Sequence, residues 1–156
     1  SLIGNHELYS YYLPSDKQFN RDFVKTKDIE QFKKIYNVDR DKFLRPGGIG
    51  GSLLGRTRPL ILQLGKFIFI HGSITDKLIK SSLNPLTGKV DIAKINKETS
   101  LWLQGRGKIP RYLEEMDEEN PVFSRYYSKK LTFNEHECAK FDNQLKFVQF
   151  SYLETL

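Results

Sequence analysis

Asn5 and His6 stand just after the apolar pair Leu2-Ile3, with Glu7 next to them, and His71 closes the apolar run Phe67-Ile68-Phe69-Ile70. An amide oxygen and an imidazole nitrogen can both ligate a divalent transition metal, so Asn5 and His71 are candidate ligands of one ion. Adjacent side chains on an extended turn diverge, which places His6 beside that ion and not on it. There an imidazole paired with a carboxylate could stay protonated near neutral pH and donate to a leaving alkoxide, the task of a general acid.

These residues need elements that bring them together. Leu2-Ile3 reads as the end of a buried strand with Gly4-Asn5 as the turn after it, and residues at the carboxyl ends of neighbouring strands share one crevice in open α/β folds. Leu60-Ile61-Leu62 and Phe67–Ile70, separated by a stretch containing Gly65-Lys66, predict a β-hairpin or two adjacent strands. Phe19, Phe23, Ile29, Phe32 and Tyr36 between Asp16 and Tyr36 suit one or two amphipathic helices. Asn37 to Arg45 is mostly polar, and Pro46 to Gly51 reads as a breaker. Ile74 to Ile79, Val90 to Leu103 and Phe133 to Val148 predict three more helices, the last with Phe141, Leu145 and Val148 on one side. Glu114 to Asn120 is acidic and expected at the surface, and Asn120-Pro121 opens a loop running to Tyr127.

The chain has 156 residues, 38% of them hydrophobic, enough for one packed domain and too few for two. No apolar run reaches the roughly 18 residues of a membrane span, and the first residues lack the pattern of a signal peptide. A single cysteine, Cys138, can form no internal disulfide, which fits a reducing, cytoplasmic setting. The formal charge is +6, but the basic residues are scattered as Lys33-Lys34, Arg56 and Arg58, Arg106 and Lys108, and Lys129-Lys130. Without a basic run or a basic-aromatic repeat, a nucleic-acid partner is not expected, whereas a basic excess also suits a phosphorylated substrate.

Gly4-Asn5-His6-Glu7 resembles the Gly-Asn-His-Glu motif of the calcineurin-like metallophosphoesterases, in particular their serine/threonine protein phosphatase and Shewanella-like branch. Phe67-Ile68-Phe69-Ile70-His71-Gly72-Ser73 is similar to the strand-then-His-Gly-Gly motif of that family, with Ser73 in place of the second glycine. Asn120-Pro121-Val122-Phe123-Ser124-Arg125 resembles the segment that delivers a phosphate-binding arginine. The resemblance implies an α/β fold forming part of the metallophosphoesterase β-sandwich flanked by helices. It further implies that Asn5 and His71 ligate one ion of a pair of divalent metals (manganese, iron or zinc), that His6 is the general acid, and that Arg125 clamps the phosphate. The substrate class it implies is a phosphorylated protein or a small phosphomonoester.

The family's Asp-x-His and Gly-Asp-x-x-Asp-Arg-Gly motifs occur nowhere in the sequence, nor does its late Gly-His. Residues 1–156 are therefore expected to be one truncated catalytic domain, incomplete at both ends and inactive alone, with the missing half of the site elsewhere in the parent chain. The alternative is a non-catalytic remnant that binds a protein or nucleic acid through its basic surface. Arg56 and Arg58 could contact phosphate, while Pro46 to Gly51 lacks the Gly-Lys-Ser/Thr ending of a phosphate loop. His136 is expected on a solvated helix face, since no second cysteine completes a zinc set. Trp102 is expected to anchor the core.

Overall fold

The computed structural model describes residues 1–12, 26–65, 67–127, 132 and 134–148. Expectations for Phe19, Phe23, Lys129-Lys130 and everything after Val148 lie outside the described residues. In chain order the elements are α1 (Asn5–Tyr12), α2 (Thr26–Tyr36), α3 (Arg40–Leu44), α4 (Ile49–Thr57), β1 (Ile61–Leu64), β2 (Phe67–Ile70), α5 (Asp76–Ser82), α6 (Ile92–Leu103), a 3₁₀ turn (Arg111–Leu113) and α7 (Glu135–Val148).

The hairpin forms as the apolar runs predict. β1 and β2 pair antiparallel in the register Ile61↔Ile70 to Leu64↔Phe67. Gly65 opens the turn at φ +57°, the positive dihedral that two-residue hairpin loops require and that glycine reaches without strain. Among the described residues this two-stranded sheet is the only one, so the molecule is helix-rich and mixed. A larger sheet does not form within them. The opening of β1 finds a substitute for a third strand in Asn96 of α6. Its Oδ1 accepts from Leu60 N and Ile61 N, both at 3.0 Å, and its Nδ2 donates to Ile61 O at 2.8 Å.

Two local readings are corrected. Leu2-Ile3 is not a strand: Ile3 is buried and donates one backbone hydrogen bond to Pro59 O (3.1 Å), after which the chain turns into α1 at Asn5. The breaker holds only in its first half: Arg45 to Gly48 separate α3 from α4, but α4 starts at Ile49 and runs through Gly50, Gly51 and Gly55. Their missing side chains are what the packing uses. A Cβ on Gly55 would lie 2.8 Å from Ser100 O and 2.9 Å from Leu103 Cβ, so glycine is what allows α4 to lie against α6. The mostly polar stretch after Asn37 likewise contains the short helix α3.

One apolar cluster ties these pieces together: Ile3, Leu8, Leu60, Ile61, Leu78, Ile95, Trp102, Leu103, Tyr112, Leu113 and Val122. Trp102 anchors it as expected. Burial pushes the Tyr112 phenol up, and its hydroxyl donates to Ile95 O at 3.0 Å, so the one polar atom it brings inside is satisfied. In α7 the buried residues are Glu137, Gln144 and Val148; of the expected Phe141, Leu145 and Val148 only Val148 is among them. Polar partners explain this. Glu137 and Asn134 form a reciprocal cap at the helix start, with Asn134 N donating to Glu137 Oε2 (3.1 Å) and Glu137 N to Asn134 Oδ1 (2.9 Å). Gln144 bridges Tyr127, which donates to it at 2.7 Å, and Asp76, which accepts from it at 2.9 Å. Phe141 meets Tyr127 edge-on and stays partly exposed.

Candidate active site

Gly4 is the residue before α1, and the third helical residue, Glu7, reaches back so that its Oε2 accepts from Gly4 N at 2.9 Å. This is half of a capping box, and the carboxylate also suits the positive end of the helix dipole. The cap fixes where Asn5 and His6 leave the backbone. Asn5 is buried and His6, one residue on, is exposed, its ring edge-on to Tyr9 at 5.7 Å between centroids. Tyr9 in turn meets Phe123 edge-on at 5.2 Å, and its hydroxyl accepts from Asn5 Nδ2 at 3.4 Å.

His71 arrives from the other side, directly after β2. Its Nε2 lies 2.8 Å from Asn5 Oδ1, across 66 residues of sequence. A Cβ on Gly4 would sit 3.1 Å from the His71 ring, so the glycine of the motif is what lets the imidazole close on the start of the helix. Because an amide oxygen only accepts, the hydrogen bond is made with a proton on Nε2.

The segment carrying Arg125 is stapled to the same corner. Gly72 N and Ser73 N both donate to Pro121 O at 3.1 Å, and Ser73 Oγ donates to Ser124 Oγ, both serines being buried. A Cβ on Gly72 would collide with Pro121 O. Asn120, buried, holds the turn by accepting from Val122 N at 3.0 Å and donating to Glu115 O at 2.7 Å. Ser73, where the family pattern has glycine, is thus a structural link to the arginine segment. Arg125 emerges from that turn with its Nη1 donating to Val122 O (3.3 Å) and Ser124 O (3.1 Å), while its backbone N–H donates to Glu118 Oε2 at 2.9 Å.

Burial, then the Arg125 charge, holds the His71 imidazole below its ordinary value; Glu7 pulls it up and His6 pushes it down. Asn5, His6, His71 and Arg125 are therefore one electrostatic neighbourhood. Arg58, which the sequence offers as a phosphate contact, instead pairs with Glu7 Oε1 at 2.9 Å. His136 is exposed on α7 as expected. Neither Asn96 nor the Glu7–Arg58 pair was visible in the sequence, since their partners lie 35 or more residues away.

The donor set can be compared with a divalent ion. Two donors each about 2.1 Å from one metal and at right angles lie about 3.0 Å apart, close to the spacing of Asn5 Oδ1 and His71 Nε2. The pair would fit two neighbouring positions of one coordination sphere once the Nε2 proton has left. Among the described residues no group of three or more His, Cys, Asp or Glu gathers that could hold a metal. No protein-family model matches this chain, and no curated protein or solved structure matches it.

Proposed function

We propose that this chain supplies part of the dinuclear centre of a calcineurin-like metallophosphoesterase, of the serine/threonine protein phosphatase or Shewanella-like branch, that hydrolyses phosphomonoesters. On this reading the hairpin and its helices are part of a larger β-sandwich. The observation that carries it is the meeting of Asn5 Oδ1 and His71 Nε2 at 2.8 Å. The fold brings together the two residue types the chemistry requires, from two motifs far apart in the chain.

Each side chain has a task its surroundings support. Asn5 and His71 bind one ion, and the lowered proton affinity of His71 keeps available the neutral imidazole that ligation demands. Two divalent ions, manganese, iron or zinc, would supply Lewis acidity toward the phosphoryl oxygens and acidify the attacking water. His6, exposed beside Asn5, donates a proton to the departing alkoxide. Arg125 holds the phosphate of a phosphorylated protein or small phosphomonoester. Asn5 and His71 make two ligands, so the others belong to polypeptide that also carries the Asp-x-His and Gly-Asp-x-x-Asp-Arg-Gly motifs. A cytoplasmic setting accompanies this reading, supported by the lone cysteine and by the finding that no helix among the described residues is long and apolar enough to cross a membrane.

The test titrates manganese into the isotope-labelled chain. Paramagnetic broadening is expected first at Asn5 and His71 and is lost in His71→Ala; broadening indifferent to both residues overturns the assignment. With p-nitrophenyl phosphate and manganese the chain alone should not exceed the metal-only control. Clear turnover that disappears in His6→Ala would sink the partial-site reading.

A further inference from the structure

We propose that the Glu7–Arg58 ion pair is the positioning device that sets the distance between Asn5 and His71. Glu7 divides its carboxylate between two tasks, Oε2 capping Gly4 N at 2.9 Å and Oε1 binding Arg58 Nη1 at 2.9 Å. Gly4 precedes Asn5 directly. Arg58 follows the end of α4, held by its backbone bond to Leu54 O (2.9 Å), and leads within three residues into β1. The first residue of β1, Ile61, pairs with Ile70, and the residue after Ile70 is His71. A closed ring of contacts results: Asn5, Gly4, Glu7, Arg58, β1, β2, His71 and back to Asn5.

Apart from the Asn5–His71 hydrogen bond that closes it, the ring runs through the chain, the Gly4 cap and strand pairing, whereas Glu7–Arg58 is a side-chain clamp between two elements that share no ladder. Ile3 N to Pro59 O, at 3.1 Å, is a backbone bond that reinforces the same junction. The pair is partly sheltered, with side-chain exposures of 34% for Arg58 and 27% for Glu7. A charge-assisted contact there is less screened and more directional than a solvated surface pair. Glu7 and Arg58 touch neither candidate ligand's donor atom in this arrangement. They act by placing the helix start that bears Asn5 against the strand end that bears His71.

The consequence for metal binding rests on the function proposed above, whereas the geometric consequence stands apart from it. Three variants are compared with the unaltered chain: Glu7→Gln, which keeps a cap for Gly4 but drops the charge, Arg58→Ala, and Arg58→Lys. The first readout, taken without metal, is the nuclear Overhauser contact between the Gly4 α-protons and the His71 ring, with the Tyr112 ring to Ile95 contact as the control for folding. The contact is expected to weaken in Glu7→Gln and Arg58→Ala and to recover in Arg58→Lys, while the control persists. The second is manganese broadening at Asn5 and His71, expected to need about 10-fold more metal in the first two variants, as for outer-shell residues elsewhere.

Folded Glu7→Gln and Arg58→Ala proteins with an unchanged Gly4–His71 contact overturn the proposal. Should Arg58→Ala not fold, Glu7→Gln decides by the same criterion. If manganese fails to broaden Asn5 and His71 in the unaltered chain, the metal reading falls alone, and the ring contact still decides the role of the ion pair.

Discussion

His71 sits between a carboxylate and two cationic or titratable neighbours, and the balance is physical. Burial disfavours the imidazolium, Arg125 and His6 oppose it, and Glu7, engaged by Arg58, is the one group pulling the other way. In the unfolded chain the same ring titrates near its ordinary 6.5. Since the folded value is lower, the unfolded state takes up the proton first as pH falls. The His71 contribution to stability is therefore complete above about 6.5 and is lost as pH drops from there through the folded value. Urea unfolding at pH 7.5 and pH 5.5 should show the unaltered chain losing more stability than His71→Gln across that interval. Equal losses in the two proteins would mean that the ring is not held in its neutral form. The ligand role depends on the same proton, so metal binding should persist to lower pH than an unperturbed histidine would allow.

At the scale of elements, α5 is the splint that holds the β2 end and the Arg125 turn in one piece. Its cap, Thr75, is buried and works twice: Oγ1 accepts from Leu78 N at 3.2 Å and donates to Glu119 O at 2.7 Å. Thr75→Ala removes a helix cap and strands a carbonyl, a loss of about 2 kcal/mol. Thr75→Ser should recover most of it. A loss below about 0.5 kcal/mol, the range of ordinary surface changes, would show that the cap is dispensable. Elements with local causes were legible in the sequence: the hairpin from two apolar runs around Gly65, and α6 from the spacing of Ile92, Ile95 and Trp102. Elements decided by distant partners were not. Gly50 and Gly51 read as part of a breaker because nothing local reveals the Phe43 ring or the Arg45 carbonyl waiting where a side chain would go. The inward face of α7 was misjudged because Glu137 and Gln144 become buried only once Asn134, Tyr127 and Asp76 satisfy them. In the site, Asn5, His6 and His71 stood out by residue type and motif. The roles of Ser73 and Arg58 come from Ser124 and Glu7, which the fold places beside them across 51 residues in each case.

For the molecule as a whole, the hairpin presents the most consequential surface. Side chains alternate along a strand and cross-strand partners share a face, so the pairs Leu62↔Phe69 and Leu64↔Phe67 project together. That face is outward, with Phe67 70% and Leu64 56% exposed, while Ile61, Ile68 and Ile70 on the opposite face pack on the core. The four outward side chains leave about 400 Å² of contiguous apolar surface, as large as the largest patch of many monomeric proteins. Pairing this face on two molecules would bury only about 800 Å², well under the roughly 1,200–2,000 Å² of a stable interface. The +6 charge adds repulsion that salt screens within about 8 Å at physiological ionic strength. Weak self-association that strengthens with both protein concentration and salt is therefore expected, and with it the limited solubility implied by an uncovered sheet face. Sedimentation equilibrium should detect it. The double substitution Leu64→Lys, Phe67→Lys should restore a monomer without disturbing the Gly4–His71 contact, because both side chains point away from the core. A chain that stays monomeric at high salt and concentration, or a double variant that associates as strongly, would show that this face does not drive the behaviour of the molecule.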